Sequence, residues 1–505
     1  MFSIKRCVRI AFQAVFVIVC IAGNLELTCA QSDVPPKQVT DVQQLKERIK
    51  LLEDTVQELK RQMATVEENQ KPAATTTSQI SIASSSAGTP TVIPAVLRTT
   101  PSDPPAATVP KKVKQDGENT LEIYGFAMLD TGYQFKSNHP DWFDVVRPTK
   151  LPAFEGEFDP EGRFFMGVRQ SRLGVKTSTA TKLGELKTIF EFELFGTGAQ
   201  AGQTTFRIRH AYGELGQFGA GQYWTMFGDT DAYPNTFEYW GPNGLVWFRN
   251  VQFRWMPLKG RNAITIGIEK PGASGDQGVY ADRIELAGIK PKLQWPDLVG
   301  NVRYNRGWGH VQISGVLRRI AWEDINDKDQ FDFSGAATGG GVSVSSHFNF
   351  GEKDIGRFQF TYGAGIQNYM NDAPVDIGAR FTGPQVNPLG PQVVPQGGTL
   401  QPPVEGAAIP VFGMSTFLDH TWSKKFTSSF GYSMLNMENT SAQSPGAYRQ
   451  GKYFIANLLY YPVENFVLGA EYQWGQRTNF HDTFSSDDSR IQFSFRYNFS
   501  KVFKW

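Results

Sequence analysis

Two groups of residues in this chain have the types and spacing to recognise a small charged molecule. The first is cationic. Arg207 and Arg209 alternate with Phe206 and Ile208, Lys187 opposes Leu186 and Phe190, and Arg318 opposes Val311, Ile313 and Leu317. Arg254 and Arg496 also fall on the polar side of alternating runs. A guanidinium suits a carboxylate because its planar fork donates two parallel hydrogen bonds. The second group lies within residues 228–244, where Asp229, Asp231 and Glu238 stand among Tyr233, Phe237, Tyr239 and Trp240. A plainer role competes for every one of these arginines. Glu191, Glu193, Glu269 and Glu471 are available to pair with them across strands, so the expectation is that the group, rather than each member, includes contact with a ligand.

Other chemistries are poorly supplied. His139, His210, His310, His347, His420 and His481 are scattered without metal-ligand spacing, and none is placed to work as a catalytic base. The run Gly339-Gly340-Gly341 leads into a strand-like segment rather than a helix, so it is no phosphate cradle. Net charge is +1, with neither a basic patch nor a nucleic-acid-binding module. We therefore expect no enzyme activity, no cofactor, no metal and no nucleic acid.

The elements that must hold these residues are strands. From Leu121 to Trp505 the chain reads as segments of roughly ten residues with alternating polarity, separated by Gly, Pro, Asn and Asp turns. Leu121, Ile123, Ala127, Leu129, Tyr133 and Phe135 share one parity; Glu122, Asp130 and Gln134 take the other. Near the end Ile491, Phe493, Phe495, Tyr497 and Phe499 oppose Gln492, Ser494, Arg496 and Asn498. Soluble sandwiches show the same period. The length of the pattern, its charges on one parity and the aromatics bounding many strands favour a membrane barrel. Aromatic residues make up 13% of a chain whose mean hydropathy is only −0.34, which fits a barrel and not a helical membrane protein. At roughly 24 residues per strand and connection, about 16 antiparallel strands are expected.

Ahead of that region come three segments. Residues 1–30 have Lys5, Arg6 and Arg9, an apolar run from Ile10 to Gly23, and small residues at Thr28-Cys29-Ala30, which together describe a secretory signal peptide cut after Ala30. Lipoprotein processing at Cys29 is disfavoured by Glu26. All three cysteines, Cys7, Cys20 and Cys29, would leave with it, removing disulfide and thiolate chemistry. Within residues 31–70, Val42, Leu45, Ile49, Leu52, Val56, Leu59, Met63 and Val66 are spaced by threes and fours, the seam of an α-helical coiled coil. The seam predicts self-association without fixing the number of chains. Residues 71–118 form a linker rich in Thr, Ser, Ala and Pro. Its cluster Lys111-Lys112-Val113-Lys114 has the charge to touch lipid phosphates or peptidoglycan, although a solvated stretch explains it better.

This plan resembles the DcaP-like outer-membrane porins of Gram-negative bacteria. The likeness rests on the order of segments, the opening Leu121-Glu122-Ile123-Tyr124-Gly125, the motifs Ser171-Arg172-Leu173-Gly174 and Gly221-Gln222-Tyr223-Trp224-Thr225, and the terminal aromatic Trp505. It implies a trimeric channel in outer-membrane lipid, with the coiled coil in the periplasm, passing small organic anions such as dicarboxylates. The Pro- and Gly-rich stretch around 371–410 departs from the pattern.

Barrels of this kind begin in the periplasm and place long loops outside. Strand 1 (about 121–135) should rise, followed by an external loop over 136–162. A turn is expected near Ala180, another near Gly216-Gln217, and a fifth strand from Gly221 to Phe227. The third external loop is then 228–244. In general porins that loop narrows the pore, so by resemblance the constriction falls there. Acids on the loop facing basic wall residues would set up a transverse field acting on passing solutes. A competing expectation, from a different class, is a structural or adhesive barrel that conducts little.

Overall fold

A segment that buries alternate residues needs a partner for every backbone N–H and C=O, and in a membrane only a closed sheet supplies them all. The computed structural model describes residues 119–326, 331–383 and 403–505. Among these, sixteen antiparallel strands close into a barrel. They are β1 (Thr120–Gln134), β2 in two pieces (Arg163–Gly167 and Arg172–Thr181), β3 (Gly184–Phe195), β4 (Thr204–Leu215), β5 (Phe218–Trp224) and β6 (Arg249–Leu258). Next come β7 (Ala263–Glu269), β8 (Asp297–Arg306), β9 (Gly309–Asp324), β10 (Gly335–Phe350) and β11 (Asp354–Ala364). The last are β12 (Pro410–Ser423), β13 (Phe426–Met437), β14 (Tyr448–Tyr460), β15 (Phe466–Asn479) and β16 (Ser485–Lys504). Each strand pairs with the next, and β16 returns to β1 from Thr120↔Lys504 to Gln134↔Arg490. The sheet has no free edge. The expected signal peptide, coiled coil and linker lie outside the described residues.

The alternation resolves as two environments. On β16, Asp488, Arg490, Gln492, Ser494 and Arg496 point inward and are buried, while Phe493, Phe495 and Tyr497 point outward and are 50%, 43% and 56% exposed. Phe190, Phe253, Ile313, Val342, Phe360 and Phe430 continue the outer apolar belt. No helix among the described residues is long and apolar enough to cross a membrane; the apolar surface belongs to strands. Parity breaks in β4, where Glu191 pairs with His210 and Phe192 with Ile208. Arg209 is the extra residue of a bulge, so Arg209 and His210 both turn inward.

Connections alternate between short turns and long loops. The turns fall at 182–183 and 216–217, and β5 ends at Trp224, so the third loop (L3) runs over 225–248 and begins three residues earlier than expected. L3 folds into the lumen. It does not do so alone, because residues 366–376 of the sixth loop (L6) enter beside it. Val246 bridges to Met370, Gly244 N–H donates to Asn371 O at 3.0 Å, and Asn371 N–H donates to Leu245 O at 2.7 Å. Met226, Phe227, Val246, Ile366, Tyr369 and Met370 form an apolar core with Val299, Val316, Val411 and Leu435 of the wall. Gly244 makes the close fit possible. Its φ is +73°, and a Cβ there would lie 2.3 Å from Met434 O.

Candidate functional site

Inside the barrel, the sequence places charges on neighbouring strands at the same height. Glu191 and Glu193 of β3 are surrounded by arginines of β2, β4 and β6. Arg209 spans both acids, with Nε 2.6 Å from Glu191 and Nη1 2.6 Å from Glu193. Arg207 reaches Glu193 at 2.8 Å, Arg249 at 3.5 Å, and Arg172 lies 3.6 Å from Glu191 and 3.9 Å from Glu193. Four guanidinium groups thus share two carboxylates, and the wall carries excess positive charge. Tyr239 of L3 donates its hydroxyl to Glu193 and stacks on Phe195 with centroids 3.8 Å apart, which fixes the loop against this wall.

These residues border a cavity of about 480 Å³ between β2–β6 and the inserted loops. Arg147 of the first loop (L1) and Asp372 of L6, paired at 2.8 Å, also line it. Arg147 is also held over the rings of Trp142 and Trp240 at 4.1 and 3.9 Å. Several buried donors around the cavity lack an acceptor: Nη1 of Arg249, Nε1 of Trp224, Nε1 of Trp240, and Nε and Nη2 of Arg496. Among the described residues these five orphaned donors outnumber the orphaned acceptor of the lining, Gln367 Oε1, as they should at a site for an anionic or acceptor-rich solute.

Of the expected site residues, Arg207, Arg209, Arg496, Tyr233, Glu238, Tyr239 and Trp240 border this cavity. Arg254 and Lys187 border another, of about 620 Å³, on the turn side of the L3 root, together with Lys176 and Lys259. Arg318 lines neither. It is buried, paired with Asp297 at 2.9 Å and Asp376 at 2.8 Å, and bonded to the Gly365 and Gly272 carbonyls, so it pins the fourth loop (270–296) and L6 to the wall. The expected acids of L3 need a second correction. Asp229 and Asp231 turn away from the arginine wall towards β8–β11. Arg303 binds both, and Asp229 also takes His310 at 2.6 Å and Ser345 at 2.7 Å. Burial opposes ionisation of Asp229, but His310 and Arg303 hold its carboxyl well below the usual range. The ligand atoms of Asp229, Asp231 and His310 converge within 4.8 Å, yet Arg303 already supplies the cation.

Glu238 has a different environment. It is buried, accepts from the Val146 and Gly241 backbone and from the Tyr453 hydroxyl, and meets the Glu471 carboxylate nearby. Burial pushes its carboxyl up to about 7, against the pull of Arg490. Glu471 in turn receives the Phe237 and Glu238 backbone N–H groups at 2.6 and 2.7 Å, anchoring L3 to β15.

Sequence reasoning missed Arg147, Arg172 and Arg249. Arg172 opposes Leu173 and Val175, and this signal was available. Arg249 stands on the wrong parity relative to Asn250, Gln252 and Arg254, and turns inward only because it opens its strand.

A closed sixteen-stranded barrel with an apolar exterior, a charged interior and loops folded into the lumen defines an outer-membrane porin. The chain belongs to the DcaP outer membrane protein family, whose model matches residues 110–374. The crystal structure of the outer membrane channel DcaP of Acinetobacter baumannii shares the fold, with a TM-score of 0.62 at 17% identity over 76% of this chain and 99% of that one. Similarity is lower to the anion-selective porin from Comamonas acidovorans (TM-score 0.45, 9% identity, 75% of this chain and 100% of that one). It is lower also to the trimer form of OmpT of Vibrio cholerae (TM-score 0.43, 15% identity, 75% and 99%). No curated protein sequence matches the chain.

Proposed function

We propose that this outer-membrane porin is a passive channel selective for small organic anions, dicarboxylates among them, and that it works as a homotrimer with its heptad segment self-associating in the periplasm. The observation that carries the reading is the sharing of two glutamates by Arg172, Arg207, Arg209 and Arg249 on the wall of the cavity beside L3. An anion leaving water exchanges its hydration for guanidinium donors already oriented by those glutamates, so little reorganisation accompanies its passage. Cations meet the same excess charge as a barrier. The aromatic surfaces of Trp224, Tyr239 and Trp240 favour solutes with some apolar body over bare hydrated ions.

Single-channel recording of the purified full-length protein in planar bilayers under a salt gradient tests this. The expected result is anion selectivity, openings in groups of three, and block by dicarboxylates. Cation selectivity would overturn the anion reading, and silent but folded barrels would favour the structural role instead.

A further inference from the structure

Arg496 stands apart from every other arginine facing the cavity. It is 3% exposed, yet its side chain makes no hydrogen bond and no ion pair among the described residues. On β16 it lies opposite Met128 of β1 and Val467 of β15. These belong with Phe237 and Leu459 to an apolar cluster, against which Phe126 and Tyr461 pack. The guanidinium carbon lies 5.4 Å from the Phe126 ring centroid and 5.5 Å from that of Phe237. Nearby acids are committed elsewhere. Asp130 accepts from Gln170, Gln492 and Ser494, and Glu471 holds the L3 backbone and Asn457.

Arginine cannot discharge itself by losing a proton, and a buried charge without a counter-charge is strongly unfavourable. No described residue completes the group. Its two covered nitrogens, Nε and Nη2, form the side-on fork whose parallel N–H bonds match the two oxygens of a carboxylate. Thr236, bordering the same cavity, has a buried hydroxyl that is also without a partner.

We propose that Arg496 is the core of a monovalent oxyanion site, of the carboxylate class, on the β1–β16 wall of the cavity. Its use in transport rests on the channel reading above; the binding itself does not. Phe126 and Phe237 flank the fork. Valence follows from the surroundings. The side chains packed directly about the fork, Phe126, Met128, Phe237, Leu459 and Val467, are apolar, so a carboxylate seated there finds its donors in Arg496 and Thr236. A sulfate or hydrogen phosphate would surrender hydration at oxygens that gain nothing in return.

Thermal unfolding of the full-length protein in detergent, titrated with sodium acetate or sodium sulfate at constant ionic strength, reads binding whether or not the barrel conducts. Acetate is expected to raise the midpoint saturably and sulfate much less. Arg496→Met should abolish the acetate response while raising the ligand-free midpoint, because it removes an unpaired buried charge. Arg496→Lys, which keeps the charge without the fork, should weaken apparent acetate affinity about tenfold. Wild-type acetate sensitivity in Arg496→Met, a lower ligand-free midpoint in that variant, or a sulfate response stronger than the acetate one would each overturn the proposal. Anion selectivity in bilayers with no acetate response would sink this site alone. An Arg496-dependent acetate response in a barrel that is not anion-selective would sink the channel reading and leave the site standing.

Discussion

Arg147 of the first loop and Asp372 of the sixth close a 2.8 Å ion pair between two loops far apart in sequence. Asp372 also accepts from the Thr149 backbone and hydroxyl, so one carboxylate secures both sides of an L1 turn. Asp372→Asn would leave Arg147 buried without its counter-charge. We expect a loss of about 3–5 kcal/mol in stability and a larger, noisier single-channel conductance as L1 and L6 separate. Unchanged conductance and midpoint would show that the pair does not hold the constriction.

Arg249 and Arg318 look alike in sequence and should behave differently. Arg249→Gln removes one of four cations shared by Glu193 and Glu191, so the barrel should fold and its anion selectivity, read from reversal potentials, should fall. Arg207→Ala should act in the same direction. Arg318→Gln leaves Asp297 and Asp376 facing each other, with a loss of about 3–5 kcal/mol. Whatever fraction folds should keep wild-type selectivity. A selectivity change in folded Arg318→Gln protein would return that residue to the conduction path.

Glu238 should make L3 sensitive to pH. Its carboxyl is raised to about 7, so the folded protein holds this proton more tightly than the unfolded chain does. The stabilisation is therefore present in acid and is lost as pH rises from the ordinary carboxylate range through about 7, by an amount on the order of 3 kcal/mol. Melting midpoints between about pH 5 and pH 8 should decline in wild type and flatten in Glu238→Gln. An equal decline in both proteins would assign the titration to another group.

At Gly244 the constraint is space as well as conformation. An added methyl would meet the Met434 carbonyl, and the Gly413 Cα lies 3.2 Å from the same point. Gly244→Ala should cost about 1–3 kcal/mol and make L3 more accessible to protease. Wild-type melting and cleavage would mean that the loop is not seated on β12–β13 in the way described.

The barrel was legible in the sequence because its signal is local. Phe493, Phe495 and Tyr497 against Gln492, Ser494 and Arg496 need only a period of two to be sorted. Two kinds of feature escaped. The bulge at Arg209–His210 and the inward turn of Arg249 break that period, and nothing in the neighbouring residues announces it. The sharing of the lumen by L3 and L6 depends on Val246 meeting Met370, a contact between loops far apart in the chain. The acids of L3 could be seen, but which wall they faced could not, because Arg303, His310 and Arg357 had no sequence link to them.

The joining of L1, L3 and L6 inside the barrel bears on how such proteins can diverge. Porin loops are often pictured as independent modules, free to lengthen or be exchanged while the strands stay fixed. Here Arg147, Trp240, Val246, Met370 and Asp372 make three loops one piece of architecture. A loop transplanted singly from a relative would arrive without its partners. Changes of specificity in this lineage should accordingly appear as matched substitutions across all three loops, or on the arginine wall, where Glu193 keeps other guanidinium partners after one is replaced.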